Sequence, residues 1–478
     1  MSSKIKTRNL KSESRHLIFM NVIICFAISV GLWIAAIEGF LPVSFKDINQ
    51  FGLKNILFLN VFFAGGVVFF MYFLEKYSVV ISGLYEKILI NFLSILYTFV
   101  ILSFINLIIF RSLGRLAIDG VLSGSIFVIM SIADAINQKI YHNPKRFKRP
   151  KLLILASDEK NFFRMKRVKY GTLNAYDSWY ENIDSLSSEE LVAFIDNNLD
   201  NYDALCILDG LNEFEYNTAV KSAVEKNKDL YIVPNMIDVG KTNASLVRFD
   251  DVLTLYMPKK NLSDIEKFLK RAVDIVLGMI GMIIVAIPML VIAICIKLTS
   301  PGPVFYTQSR LTENKREFNI YKFRTMIPDA EKLSGPKFAE KNDPRITPIG
   351  KILRACRLDE LPQIINILKG DMSIVGPRPE RGVFVEQFEK EIENYDYRFS
   401  VKAGLTSLSH VYGRYSTYIH DRTYYDLFYI THYSLLLDLK IILLTTKTLF
   451  LKSAAEGEDD FKQKTTAEVK KEADLVEK

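Results

Sequence analysis

The chain has 478 residues, of which 49% are hydrophobic and 24% are charged. A length of this size is typical of about three domains. The apolar content excludes a disordered chain, and the charge content excludes a chain buried entirely in a membrane. We therefore expect membrane segments to alternate with water-exposed domains.

The charged and metal-binding residue types exclude several kinds of site. Lys and Arg number 61 against 54 Asp and Glu, a formal net charge of +7 that is small for this length. The basic residues form no stripe of the kind that binds nucleic acid, so we predict no nucleic-acid partner. The four cysteines include no Cys-x-x-Cys pair and the five histidines are unclustered, which argues against a disulfide framework or a zinc site.

The N-terminal part contains four long apolar runs, at 17–37, 56–74, 88–110 and 116–136. A run of about 20 apolar residues is long enough to span a bilayer. Basic residues precede the first run and follow the last, which places both ends in the cytoplasm after four crossings. We predict four transmembrane helices in residues 1–140, the first a retained anchor. A buried soluble core fits four such runs poorly.

Strand and helix patterns alternate in the next segment. Short buried strands are predicted at 151–156, 204–209, 230–234 and 252–257, with helices over 187–198 and around 219–224. This alternation is typical of a parallel sheet with crossovers, so we predict a Rossmann-like α/β domain over 141–258. The first strand is not followed by a Gly-x-Gly-x-x-Gly signature. A scaffold or dimerising role, with a homodimer as the assembly, is therefore favoured over a nucleotide site.

A fifth apolar run, 273–296, has basic residues on both sides. Ser263 and Glu266 have capping-box spacing and begin the helix that enters this run. Pro288 lies in the middle, where it removes a helix hydrogen bond and bends the axis. We predict that the helix enters the membrane, kinks at Pro288 and returns to the same face. A full crossing is the alternative.

Two clusters after this run predict an anion site. Residues 318–326 read as a strand, whose period of two places Lys322 and Arg324 on one face. Pro377 and Pro379 bracket Arg378 and restrict its backbone to an extended form, which aims a planar donor fork at a phosphate. The alternatives are a solvated strand face and a plain surface turn.

Between these clusters, residues 354–371 predict a helix that ends at Gly370. Pro362 suits the first helical position, which places Asp359 and Glu360 at the helix N-terminus, where anions gather. Acidic residues at this position are often only caps. With Arg354 close in sequence, phosphate chemistry becomes plausible, with one carboxylate as nucleophile and the other on a divalent ion.

The clusters in this order resemble the bacterial sugar transferases that attach a sugar-1-phosphate to polyprenyl phosphate, the monotopic phosphoglycosyl transferases. The resemblance covers about 270–450 and depends mainly on Asp-Glu-Leu-Pro at 359–362 and Val-Gly-Pro-Arg-Pro at 375–379. The N-terminal helices and the α/β domain resemble the large form of the family. In that family the proline-kinked helix is a re-entrant membrane helix, which agrees with the charges around Pro288.

The resemblance implies a two-step reaction at the cytoplasmic face of the bacterial inner membrane. Asp359 would attack the β-phosphate of a UDP-sugar and release UMP, and polyprenyl (undecaprenyl) phosphate would then take the phosphosugar. Glu360 would hold Mg²⁺. The phosphates would be neutralised by four cations: Lys322, Arg324, Arg354 and Arg378. This transfer would be the first membrane step of polysaccharide or glycoconjugate assembly, with membrane lipids as further partners.

The chain departs from the family pattern at three places. The serine usual before the kink proline is Ile287, the common Lys-Pro-Gly-Leu-Thr-Gly stretch reads Lys-Ala-Gly-Leu-Thr-Ser at 402–407, and Tyr412 replaces a frequent serine. The last two changes lie where the family handles nucleotide and sugar, so the sugar stays open.

The expected architecture is thus a four-helix transmembrane bundle, the α/β domain, a re-entrant helix with a mixed α/β catalytic domain over 259–453, and a charged tail over 454–478. Two rival functions remain at this point. One is a catalytically inactive membrane scaffold of a polysaccharide assembly complex. The other is a membrane phosphatase that uses Asp359 as nucleophile and water as acceptor.

Overall fold

The structure is a computed structural model, and the description covers most of the chain. The described residues are 6–7, 16–28, 61–77, 83–105, 107–108, 113–141, 147–156, 176–183, 186–208, 211–234, 236–242, 244–249, 252–256, 262–327, 343–392, 394–412 and 419–450. The predicted tail over 454–478 lies outside them. Contacts divide the chain into two compact units, Met1–Val233 and Pro234–Lys478.

Four apolar helices occupy the first part of the first unit, one in each predicted run: α1 (His16–Ile28), α2 (Val61–Phe73), α3 (Leu84–Ile105) and α4 (Leu113–Tyr141). By length and composition, α3 and the Asp119–Ile140 part of α4 are able to cross a membrane, whereas α1 and α2 are shorter within the described residues. The prediction of several apolar helices in this part is therefore confirmed, whereas four membrane crossings stay a prediction.

A buried polar cluster connects these helices. Lys76, just after α2, lies 2.9 Å from the Asp134 carboxylate on α4 and donates to Asn91 on α3 at 2.6 Å. Asn91 in turn donates to Asp134 at 2.8 Å. From α1, the Asn21 amide donates to the Tyr77 hydroxyl at 3.0 Å. Lys76 and Asp134 are thus paired with each other in the interior of the helix cluster and do not face its outer surface.

The rest of the first unit is a four-stranded parallel sheet in the order β4-β3-β5-β6. The strands are β3 (Lys151–Ala156), β4 (Asp177–Asn182), β5 (Ala204–Ile207) and β6 (Asp229–Ile232). The other elements are the short pair β1 (Lys6–Thr7) and β2 (Phe147–Lys148), helices α5 (Ser188–Asn198) and α6 (Glu213–Glu225), and a 3-10 turn (Leu199–Asn201). Capping boxes begin both helices, at Ser187 and Asn212.

The sheet differs from the prediction in one strand. The fourth predicted strand is β8 (Val252–Tyr256), which pairs antiparallel with β7 (Ser245–Phe249) and belongs to the second unit. A two-residue connection joins these strands, which suits an antiparallel hairpin and is too short for a parallel crossover. The edge of the parallel sheet is filled by β4 instead.

The second unit holds the remaining elements. Its helices are α7 (Met236–Lys241), α8 (Asp264–Thr299), α9 (Pro348–Ala355), α10 (Gln363–Lys369), α11 (Gly382–Glu391), α12 (Leu408–Tyr412), α13 (Ile419–Thr431) and α14 (Leu435–Leu449). Its further strands are β9 (Phe305–Leu311), β10 (Glu317–Phe323), β11 (Ser373–Val375) and β12 (Gly404–Thr406). Three 3-10 turns cover Glu313–Lys315, Leu358–Glu360 and Tyr395–Ser400.

Helix α8 is the longest element, with 36 residues and the predicted capping box of Ser263 and Glu266. At 1.5 Å per residue it is about 54 Å long, more than the thickness of a bilayer core. Pro288 lies within the helix, which continues on both sides of it. Large apolar side chains such as Ile287 remain 74% exposed, so this helix needs an apolar surrounding.

Both ends of α8 contact the body of the second unit. Near its start, the Lys270 ammonium donates to the Asp438 carboxylate at 2.7 Å and to the Val375 carbonyl at 3.0 Å. Beyond its end, the Ser300 carbonyl accepts from Arg324 at 2.9 Å. The same folded unit therefore holds the helix at both termini.

The tyrosine-rich segment at 412–433 contributes to the interior. Tyr429 and Tyr433 are buried, and Tyr429 donates to Asp438 at 2.8 Å. Tyr412 stacks on Tyr425 at a centroid distance of 6.2 Å. For Tyr429 and Tyr433, the structure favours packing within the domain over a role at the membrane interface.

Candidate active site

The acidic pair Asp359 and Glu360 lies in a 3-10 turn directly before α10. Arg357 begins this turn with a φ of 54°, a left-handed conformation that few non-glycine residues adopt. The predicted helix start was one residue early, because Pro362 caps α10 instead of occupying its first position. The helix ends at Gly370 with a φ of 92°, as predicted.

Strand β10 brings Lys322 to this turn. The β9–β10 hairpin pairs Lys322 with Tyr306, and the Lys322 ammonium donates to Glu360 Oε1 at 2.7 Å. Burial alone would raise the pKa of Glu360, but Lys322 and Arg378 outweigh it and hold that pKa well below the ordinary range. Glu360 is therefore an ionised carboxylate.

Asp359 has the opposite electrostatic character. Burial raises its pKa, the neighbouring Glu360 charge raises it further, and Lys322 and Arg354 only partly oppose these effects. Two adjacent carboxyl groups thus differ in basicity, and the more basic one is the better nucleophile once ionised.

The predicted Arg378 reaches the same place from the loop after β11. Its Nη2 lies 3.7 Å from Glu360 Oε1, and its Nη1 lies 2.6 Å from Nε2 of His410. The Arg378 carbonyl accepts from Arg398 at 2.9 Å, and Arg398 forms a buried ion pair with Asp426, also at 2.9 Å. The backbone is thus fixed while the guanidinium stays 30% exposed.

These groups line one cleft together with residues that the sequence analysis did not select. The lining residues are Arg310, Ile320, Lys322, Glu360, Gln363, Arg378, Pro379, Gly404, Leu405 and His410. Asp359 is half-buried beside Glu360 but is not one of them. The altered stretch at 402–407 contributes Gly404 and Leu405, while residues 413–418 of the following loop lie outside the described part of the chain.

The two other predicted phosphate ligands have different positions. Arg354 donates from Nε to the Thr325 hydroxyl at 2.9 Å and is close enough to Asp359 to lower its pKa. Arg324 is buried and donates to the carbonyls of Ser300 and Pro301 at 2.9 and 2.8 Å. Strand β10 ends at Phe323, so its alternation does not extend to Arg324, which holds the end of α8 instead.

The cleft suits the binding of a phosphorylated substrate. Two cations, Lys322 and Arg378, face an ionised carboxylate. Arg310 supplies a third cation, whose guanidinium donates to the Pro379 carbonyl at 3.2 Å. Guanidinium forks are well matched to phosphate oxygens. A sequence signal for His410 was lacking, because it is one of five unclustered histidines and contacts a residue 32 positions away.

Comparisons with known proteins match the segment of the chain that contains this cleft. The family model described as bacterial sugar transferase matches residues 265–452, which include every predicted site residue. An Aeromonas hydrophila protein named UDP-N-acetylgalactosamine-undecaprenyl-phosphate N-acetylgalactosaminephosphotransferase is 43% identical over 214 residues, covering 44% of this chain and 50% of that protein. The Escherichia coli K12 UDP-glucose:undecaprenyl-phosphate glucose-1-phosphate transferase is 36% identical over 230 residues, covering 47% of this chain and 49% of that protein.

The match thus spans about half the length of these two relatives. A longer match is found with the galactosyl transferase CpsE of Streptococcus agalactiae, which is 31% identical over 340 residues. This alignment covers 69% of the chain and 72% of that relative, well beyond the catalytic segment alone. The chain therefore belongs to the bacterial sugar transferase family.

Proposed function

We propose that this protein transfers a sugar-1-phosphate from a UDP-sugar to polyprenyl phosphate through a covalent intermediate on Asp359. The observation that carries the proposal is the adjacent carboxyl pair, in which Glu360 is held ionised by Lys322 at 2.7 Å while the pKa of Asp359 is raised. The names of the relatives support undecaprenyl phosphate as the acceptor.

In the first step, an Asp359 oxygen forms a bond to the β-phosphorus of the UDP-sugar. The bond from that phosphorus to the bridging oxygen breaks, and UMP leaves with its electron pair. In the second step, a phosphate oxygen of polyprenyl phosphate attacks the same phosphorus. The bond to Asp359 breaks, which restores the carboxylate and yields a polyprenyl-diphosphate-linked sugar. Lys322 and Arg378 neutralise the phosphate charge in both steps.

The donor set at Glu360 fits Mg²⁺. The described residues contain no group of three or more His, Cys, Asp or Glu able to hold a metal, and Mg²⁺ bound with substrate phosphates needs only one or two carboxylates. Within the described residues, Glu360 Oε1 faces Lys322 and Oε2 makes no hydrogen bond. When bound there, Mg²⁺ would offset the negative charge of the diphosphate.

We further propose that α8 is re-entrant and that the active site faces the cytoplasm. Its start is held by Asp438 and its end by Arg324, both in the folded catalytic unit. In the middle of the helix, a Cβ added at Gly278 would lie 3.0 Å from Leu368 and one at Gly281 would lie 2.8 Å from Ile364, so that unit approaches the helix closely there as well. A helix that crossed the membrane would carry its two ends to opposite faces, whereas these contacts keep them on one body.

The N-terminal helices α1–α4 would form a transmembrane bundle around Lys76 and Asp134. The α/β part would mediate self-association, because Trp179, Phe214 and Val224 are 47%, 66% and 71% exposed. Replacing Phe214 and Val224 together with Ser should convert a dimer to a monomer, as measured by the mass of the detergent-solubilised protein. An unchanged mass would contradict this assignment.

The reaction is tested with the full-length protein in detergent, polyprenyl phosphate and a panel of UDP-sugars that includes N-acetylgalactosamine, glucose and galactose. Wild type should release UMP and form lipid-linked sugar with at least one donor. Asp359→Asn should abolish both products, whereas Asp396→Asn, at an exposed position, should act as wild type. Free sugar phosphate would indicate a phosphatase, and full activity of Asp359→Asn would contradict the proposed nucleophile.

A further inference from the structure

Three contacts of Arg378 bear on its position, and two of them are already explained. Arg398 fixes the backbone of Arg378 by donating a hydrogen bond to the Arg378 carbonyl at 2.9 Å. Glu360 attracts one side of the Arg378 guanidinium, at a distance of 3.7 Å between Nη2 and Oε1. The third contact, from Arg378 Nη1 to His410 Nε2 at 2.6 Å, has no role in the reaction described above.

His410 is built into the cleft as a neutral acceptor. An arginine has only donors, so Nε2 of His410 must accept, and the remaining proton is on Nδ1. Burial lowers the pKa of His410 well below its ordinary value, and the Arg378 charge lowers it further. The backbone amide of His410 donates to the Ser407 hydroxyl and carbonyl, both at 3.1 Å, which fixes where α12 presents the ring.

The distance between Arg378 and Glu360 shows why the hydrogen bond between Arg378 and His410 matters. At 3.7 Å the two groups attract each other but do not form a hydrogen bond. A partly exposed arginine beside an ionised carboxylate ordinarily closes into a bidentate pair. Such a pair would occupy Glu360 and turn the guanidinium away from the substrate.

We propose that His410 is a positioning residue for phosphosugar transfer, which holds Arg378 away from Glu360 and directs its guanidinium toward the substrate diphosphate. The inference rests on the proposed function of the cleft. His410 acts through Arg378 and need not contact the reacting atoms.

The test compares His410→Gln, which keeps an acceptor, with His410→Leu, which removes it at similar size. In the full-length enzyme, His410→Leu should lower kcat/KM for UMP release roughly tenfold or more, as expected for losing a hydrogen bond to a charged group. His410→Gln should stay within about threefold of wild type on the same grounds. His432→Leu is the matched control, because His432 stacks on Phe428 outside the lining of the cleft.

A double-mutant cycle with Arg378→Ala separates positioning from a general structural role. If His410 acts through Arg378, adding His410→Leu to Arg378→Ala should cost less than about twofold. Equal damage from Gln and Leu, or multiplying losses in the double variant, would overturn the inference. Thermal unfolding should show that all variants fold.

Direct UDP binding provides the same test without turnover, by calorimetry with no sugar and no lipid. His410→Leu should weaken UDP binding by about the same factor as kcat/KM, and His410→Gln should not. A wild type that binds UDP but turns over no UDP-sugar would contradict the proposed function alone. Unchanged UDP binding in His410→Leu would contradict the inference alone.

Discussion

The Lys322 ammonium and Glu360 Oε1 lie 2.7 Å apart, so a strand cation and a turn carboxylate neutralise each other in the middle of the cleft. The pair keeps Glu360 ionised without substrate. It also means that Lys322 competes with any cation that Glu360 binds. Under the proposed function, an entering diphosphate would give Lys322 a second anionic partner, and the carboxylate would then share its charge with the proposed metal ion.

Lys322→Met should therefore have two opposite effects. Removal of the competing ammonium should tighten the binding of a divalent ion by several-fold, measured with Mn²⁺ by electron paramagnetic resonance. The same change should lower kcat/KM for UMP release by about 100-fold or more, because a phosphate loses a charged donor. Lys369→Met, at an exposed lysine that donates to the Tyr321 hydroxyl, should change neither. Weaker Mn²⁺ binding in Lys322→Met would count against a metal on Glu360.

The rate should fall on the acid side at a higher pH than for an ordinary aspartate. Asp359 must be ionised to attack, and burial together with Glu360 raises its pKa above the model-peptide value of about 3.8. Because Arg354 lowers that pKa, Arg354→Gln should move the acid limb of kcat to higher pH, while Arg354→Lys should leave it nearly in place. The pH profile of UMP release is the measurement, and a shift to lower pH would contradict the assignment.

Gly404→Ala should disrupt the loop that carries Arg378. A Cβ at Gly404 would lie 2.1 Å from the Gly376 nitrogen and 2.5 Å from its carbonyl oxygen, and backbone atoms cannot move aside cheaply. We expect a loss of about 3 kcal/mol, which lowers Tm by about 6 °C or more, together with a loss of activity. Gly382→Ala is the control, since its Cβ would meet nothing within 4 Å. Equal Tm values for the two variants would show that the close approach is not restrictive.

The sequence predicted the features that local patterns determine. The capping box of α8, the glycine stop at Gly370 and the apolar strand Lys151–Ala156 each depend on a few neighbouring residues and are confirmed. The edge strand Asp177–Asn182 lacks an apolar run, because none of its residues is fully buried, and it was therefore missed.

The pairing of side chains across the cleft was not predictable in the same way. Arg324 was placed on the phosphate face by alternation, but the strand ends one residue earlier and the side chain turns to Ser300. The contact between Arg378 and His410 depends on the approach of β11 and β12, which is a property of the fold. Charge types and their approximate location follow from the sequence, whereas the individual partners do not.

Removing one partner of the buried pair Lys76–Asp134 should destabilise the N-terminal helices more than removing both partners. Their side chains are 1% and 0% exposed, so Lys76→Met leaves an uncompensated buried charge and should cost roughly 3–5 kcal/mol. The double variant Lys76→Met, Asp134→Leu should recover most of the loss. Lys221→Met, which breaks an exposed pair with Glu225, is the control. The thermal unfolding of the detergent-solubilised protein reports all three, and equal losses in the two lysine variants would refute the argument.

The proposed covalent intermediate can be tested directly. The enzyme is incubated with a UDP-sugar carrying ³²P in its β-phosphate, without polyprenyl phosphate, then denatured, digested and analysed by mass spectrometry. We predict one phosphosugar per active site on Asp359, its release when polyprenyl phosphate is added, and no label in Asp359→Asn. Label on Glu360, or turnover without any labelled peptide, would contradict the assignment of Asp359 as the nucleophile.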